Sequence, residues 1–279
     1  AMNALEIRNL SKPYEGFSLE NLSLTLPEGC VLGLVGENGA GKTTTIKIIL
    51  DMLHSDGGTV TILGQDSRGN VAVKQDLGVV MDTVGLPPCV TAIQVEKIMA
   101  PIYQNWDPET YHRYLKTFDL PETKKFGDYS KGMQMKLGLA IALSHGAKLL
   151  LLDEATSGLD PVVRDQVVNI LLDFAREGGS VLISSHIVSD LEKLCDYVAF
   201  LHKGKLMLCE EKDYLLGEYG VVHCTKADLE TLPEEGVLHK KESPYGVEAL
   251  VKRSSLPKGR EVSPVTMEEL FIYMSKEAE

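Results

Sequence analysis

The sequence predicts an α/β fold. It has a mainly parallel core sheet, an antiparallel β part ahead of it, a helical insert and a small α+β appendage at the end. Three observations predict it. Short apolar runs alternate with helical patterns up to about residue 210. One such run, Lys148 followed by Leu149, Leu150, Leu151 and Leu152, is the unbroken apolar strand that a parallel sheet covered on both faces requires. A glycine-rich stretch fitting G-x-x-x-x-G-K-[ST], from Gly36 to Thr44, lies between a strand-like run and a helix-like one.

In chain order, residues 5–9 and 17–26 alternate apolar and polar positions, with 11–16 as the turn between them, and so read as an antiparallel pair. Pro27, Glu28 and Gly29 turn the chain into a strand over 30–35 that delivers the glycine-rich loop, and a helix follows over 43–50. A β-branched run at 59–63 and a short apolar run at 77–81 are further strands. Residues 91–99 and 109–118 carry helical spacing, punctuated by Pro87, Pro88, Pro101, Pro108 and Pro121, which defines a helical insert over about 83–147. Trp106, with Tyr103 and Asp107 beside it, reads as the core of that insert.

Ser130 is the cap of a helix over 131–144. The leucine strand ends in Asp153 and Glu154, and Pro161 opens a helix reaching 175. A buried strand at 180–184, a helix at 187–195 and a hairpin of 197–202 with 205–209 complete a domain spanning 1–210. Beyond it, 211–279 form the appendage, with short strands at 221–224, 237–239 and 247–251 and a closing helix at 267–274.

Bulk properties narrow the function. The chain is 44% hydrophobic and 24% charged, ordinary for a globular protein. No apolar run approaches the roughly 18–20 residues that span a bilayer, and the start lacks an export signal, so a place inside the cell is expected. Ala1 ahead of Met2 reads as an addition to the natural start. The five cysteines are odd in number and scattered, which suits reduced thiols. A net charge of −12 argues against wholesale binding to nucleic acid or anionic lipid, and Lys252, Arg253, Lys258 and Arg260 read as a solvated basic face.

The chemistry is that of a nucleotide triphosphate. In Gly36, Glu37, Asn38, Gly39, Ala40, Gly41, Lys42, Thr43 and Thr44, glycines let backbone N–H groups turn inward and the next helix adds its positive end. Lys42 supplies an ammonium for the β- and γ-phosphates, and the Thr43 hydroxyl is a ligand for Mg²⁺. Asp153 and Glu154 stand at the C-terminal end of a buried strand, the edge where open α/β sheets bind ligands. Asp153 suits Mg²⁺ and Glu154 suits activation of a water, whereas a kinase would need an acceptor site instead. A GTPase would need N-K-x-D, whose nearest match, Thr225, Lys226, Ala227 and Asp228, lies past the last strand of the α/β domain.

With these motifs in order over residues 4 to about 210, the chain resembles an ATP-binding cassette ATPase, the P-loop NTPase subunit of ABC transporters. The resemblance implies ATP and Mg²⁺ as cofactors. It sets Tyr14 where an aromatic stacks on adenine, Asp160 in the D-loop and His186 as the γ-phosphate switch. The signature L-S-G-G-Q stands as Tyr129, Ser130, Lys131, Gly132 and Met133, keeping Ser130 and Gly132 to grip ATP held by a facing subunit. Asp82 replaces the usual glutamine of the Q-loop and is a further candidate metal ligand.

The resemblance further implies a homo- or heterodimer of ATPase subunits, peripheral on the inner face of the cell membrane. It would drive a separate transmembrane permease docked near Asp82 and Trp106, with no nucleic acid partner. Tyr103 to Asp107 and Pro264 to Phe271 are similar to the exporter branch related to bacitracin and antimicrobial-peptide resistance ATPases. Two alternatives are a relative acting on ribosomes or nucleic acid and an ATP sensor without turnover. The first would bring a second cassette, coiled coils or zinc motifs, and the second would lack Glu154 and His186.

Overall fold

The computed structural model describes residues 2–277. Ala1, expected to be an addition, lies outside the described residues, as do the last two positions of the appendage. β1 (Asn3–Tyr14) and β2 (Phe17–Pro27) form a hairpin, and β3 (Val31–Val35) leads through the glycine-rich loop into α1 (Lys42–Ile49). β4 (Gly57–Ile62), β5 (Gln65–Asp66) and β6 (Leu77–Val80) precede the insert helices α2 (Ala92–Ile102) and α3 (Pro108–Thr117). Then come α4 (Lys131–Ala142), β7 (Leu149–Asp153), α5 (Pro161–Arg176), β8 (Ser180–Ser185), α6 (Val188–Leu194), β9 (Tyr197–His202) and β10 (Lys205–Glu211). These strands make one ten-stranded sheet in the order β5-β4-β1-β2-β10-β9-β3-β8-β7-β6. Its β9-β3-β8-β7-β6 section is parallel.

The leucine strand explains its own composition. Leu150 and Leu152 enter one core while Leu149 and Leu151 enter the other, so both faces of β7 are covered and no polar residue is tolerated before Asp153. β3 divides likewise, with Val31 and Val35 on one side and Leu32 and Leu34 on the other. Parallel register then carries the ends of β3, β7 and β8 to the same edge, where the loop containing Lys42 begins.

Two expectations are corrected. The turn at 11–16 shrinks to Glu15 and Gly16, because Lys12, Pro13 and Tyr14 pair with Leu19, Ser18 and Phe17. Pro13 is tolerated since β4 pairs with β1 only as far as Ser11, which leaves that edge without a neighbour. Pro101 does not stop its helix either. It sits inside the last turn of α2, two residues before the C-cap Tyr103, and the carbonyl it leaves without a donor belongs to Lys97, an exposed residue that water can serve.

The appendage begins with α7 (Lys212–Glu218), β11 (Tyr219–Cys224) and α8 (Lys226–Glu230). It continues with β12 (Val237–Ser243), β13 (Gly246–Lys252), β14 (Ser263–Pro264) and α9 (Met267–Glu277). Its strands form a separate antiparallel sheet, β12-β13-β11-β14. Thr225 and Asp228, which mimic a guanine-reading motif, form the capping box of α8. The expected basic face is only partly solvated: Lys258 is exposed, Lys252, Arg253 and Arg260 are half-buried, and Arg253 Nε is fully buried. All five cysteines are free.

Candidate functional site

Gly36 opens the loop because nothing larger fits, a Cβ there meeting the Leu201 carbonyl oxygen at 2.3 Å. Gly39 and Gly41 adopt φ of 86° and 108°, the left-handed region that glycine enters without strain. The loop is tied to the β9–β10 turn, since the Gly204 N–H donates to the Ala40 carbonyl at 3.0 Å. The Lys203 N–H donates to Glu37 Oε1 at 3.3 Å, and His202 Nδ1 lies 3.2 Å from the same oxygen. Burial works to raise the pKa of Glu37, but backbone hydrogen bonds and His202 outweigh it and hold the carboxyl below its ordinary value.

Four sequence-predicted residues meet at the first turn of α1. The Thr43 hydroxyl donates to Asp153 Oδ2 at 2.8 Å, and Asp153 is wholly buried. Lys42, also buried, donates to the Gly36 carbonyl and lies 3.3 Å from Glu154 Oε1. His186 Nδ1 contacts Glu154 Oε2 at 2.9 Å, so the glutamate stands between Lys42 and His186. Its Oε1 is buried, makes no hydrogen bond among the described residues and faces the Lys42 ammonium across 3.3 Å. Glu154 itself has φ of 54°, a strained conformation for a non-glycine residue and one concentrated at functional sites.

Beside these residues opens a cleft of about 960 Å³. It is lined by Asn38, Gly39, Gly41, Lys42, Thr43 and Thr44 of the glycine-rich loop and α1, by Glu154 and Asp82, and by Tyr14 and Phe17 of the hairpin. Tyr14 is 40% exposed at the hairpin tip, with Lys12 Nζ over its ring at 5.8 Å from the centroid and the Phe17 ring 6.1 Å away. Ser130, Gly132 and Asp160 do not line the cleft. Ser130 Oγ accepts the Met133 N–H at 3.2 Å as the cap of α4, and Gly132 lies beside Gly158 and Leu159. Asp160 caps α5, accepting from the N–H groups of Val162 and Val163 at 3.1 and 3.0 Å. Gly132 of the expected signature and Gly158 and Leu159 of the D-loop segment are thus neighbours, none of them lining the cleft.

Sequence reasoning missed Ser184. Its hydroxyl donates to Asp153 Oδ1 at 2.5 Å and accepts the Glu154 N–H at 3.2 Å, so one side chain positions both acids. The signal available was a serine in an otherwise apolar run, directly across from Asp153 once β7 and β8 pair. Phe17 and Lys203, which also line the cleft, carried no motif.

Residues 19–157 match the profile of the ABC transporter family. The chain is 31% identical over 284 residues to the ABC transporter ATP-binding protein YtrB of Bacillus subtilis, covering 96% of this chain and 97% of that protein. It is 33% identical over 208 residues to the bacitracin transport ATP-binding protein BcrA of Enterococcus faecalis, covering 73% of this chain and 68% of that one. Among solved structures, an ATP-binding subunit of an ABC transporter superposes with a TM-score of 0.69 at 27% identity, over 75% of this chain and 90% of that one.

Proposed function

We propose, from the premise that this chain belongs to the ABC transporter family of ATP-binding proteins, that it powers export of a peptide-like compound through a separate membrane permease. The protein is an ATPase of that family. Among the described residues no helix is long and apolar enough to cross a membrane. A permease on another polypeptide is supported by the relatives, which are named as ATP-binding proteins of transporters. Bacitracin and lantibiotic transport ATP-binding proteins among the relatives support export as the direction. The expected location is the inner face of the membrane, against that permease.

In this reading Lys42 leaves the Gly36 carbonyl for the β- and γ-phosphates, and Tyr14 stacks on adenine. Thr43 Oγ1 and Asp153 Oδ2, hard oxygens 2.8 Å apart, fit a Mg²⁺ site, whereas Asp82, the further candidate, lines the same cleft with its carboxylate 3.6 Å from Lys131 Nζ. Mg²⁺ held by Thr43 and Asp153 would neutralise negative charge on the phosphates. Glu154 is the general base through Oε1, and His186 holds its other oxygen in place. Ser130 and Gly132, outside the cleft, grip the γ-phosphate of ATP bound by a facing subunit, and Asp160 borders the same joint. Two ATP molecules are then enclosed between two ATPase subunits.

The observation that carries the reading is the line Lys42–Glu154–His186 beside the Thr43–Asp153 pair at one edge of the parallel sheet. Glu154→Gln tests it. Turnover should fall roughly 10²- to 10⁴-fold while ATP binding, followed by a fluorescent analogue, stays within a few-fold. Hydrolysis at the parent rate would remove Glu154 from the role of base.

A further inference from the structure

Asp82 and Lys131 occupy two positions at which this chain departs from the family's motifs, and the fold brings the two together. Lys131 Nζ lies 3.6 Å from Asp82 Oδ1. Asp82 follows β6 and lines the nucleotide cleft, while Lys131 is the first residue of α4, between Ser130 and Gly132. One ion pair therefore joins a subunit's own cleft to the surface that, in the reading above, faces the other subunit's nucleotide.

Neither partner is there for the fold. A cation in the first turn of a helix opposes the helix dipole, and α4 has no acidic residue in that turn to offset it. Both side chains are more than half exposed, 64% and 57%, and pairs so exposed contribute little to stability. An ammonium held by a single hydrated carboxylate passes readily to a polyanion, and a triphosphate offers far more charge than Asp82.

We propose that Lys131 is a further ligand of the γ-phosphate, supplied across the dimer, and that Asp82 competes for the same ammonium and holds it in reserve. The inference rests on the two-subunit reading given above. Competition has a signature that simple bracing lacks. Loss of Lys131 weakens the nucleotide-bound dimer, loss of Asp82 strengthens it, and the second effect requires Lys131 to be present.

The test is the monomer–dimer equilibrium of the full chain carrying Glu154→Gln, measured by sedimentation in saturating Mg-ATP. Lys131→Ala should raise the dimer Kd about tenfold or more, the worth of a hydrogen bond to a charged group, and Lys131→Arg should recover most of that. Asp82→Ala should lower the Kd about two- to fivefold. Joined to Lys131→Ala it should change nothing further, giving a double-mutant cycle with full coupling.

Shifts in the same direction for both single variants, or no shift in either, would overturn the competition. An equal gain from Asp82→Ala with and without Lys131 would also overturn it, tracing the effect to repulsion of the nucleotide in Asp82's own cleft. If instead the Glu154→Gln chain binds ATP and stays monomeric at every concentration, the pairing of two copies of this chain falls first and the competition between them with it.

Discussion

One hydroxyl, that of Ser184, serves both members of the acidic pair, and this is the residue at which the site is most exposed to a small change. Ser184→Ala leaves Asp153 Oδ1 without its donor inside a wholly buried environment, whereas the Glu154 N–H keeps its second acceptor, the Ser184 carbonyl at 3.2 Å. A buried acceptor without a partner costs about 1–3 kcal/mol, so urea unfolding should show that loss of stability. An unmoved midpoint would mean that water replaces the hydroxyl. The motif residues were legible because their chemistry is local: a phosphate cradle requires glycines, a lysine and a hydroxyl in one turn. Ser184 was not legible, because its importance arises only when strand register sets it opposite Asp153. The left-handed backbone of Glu154 escapes sequence reading for the same reason, since nothing in Asp-Glu-Ala specifies it.

At the scale of elements, runs with two faces to cover were read correctly, and positions where a breaker is tolerated were not. β7 and β8 follow from hydrophobicity alone, whereas the extent of β1 depends on β4 ending its pairing at Ser11, a fact about a strand far along the chain. Caps are local and therefore readable, as with Ser130, but a cap and a functional carboxylate look alike in sequence. Asp160 presents that ambiguity, being both the N-cap of α5 and the residue assigned to the subunit joint. Asparagine caps as well as aspartate, so the two roles separate. Asp160→Ala should cost about 1 kcal/mol of stability, while Asp160→Asn should unfold at the parent midpoint. Turnover should fall in both. Parental turnover in the asparagine variant would reduce Asp160 to a cap.

Across the whole molecule, the appendage is packed onto the ATPase core as a continuation of it. Val221, Leu250, Val265, Met267, Leu270 and Phe271 belong to the same apolar cluster as Leu191, Leu194 and Phe200, and the rings of Phe271 and Phe200 stack at 4.8 Å. The Met267 N–H donates to Glu192 Oε1 at 2.8 Å, fixing the start of α9 to α6, the helix that follows His186. A shared core of this kind predicts cooperative unfolding. Phe271→Ala should cost about 3–5 kcal/mol, the usual loss for a large buried ring. The single tryptophan makes the prediction sharp, because Trp106 lies in the insert and packs against the same cluster while far-UV circular dichroism reports the entire chain. In urea both signals should move together to a lower midpoint, since a cavity at Phe271 destabilises everything that unfolds with it. A circular dichroism loss that precedes an unmoved fluorescence transition would make the appendage a separately folding body, and the packing between Phe200 and Phe271 would then be a docking contact between two domains.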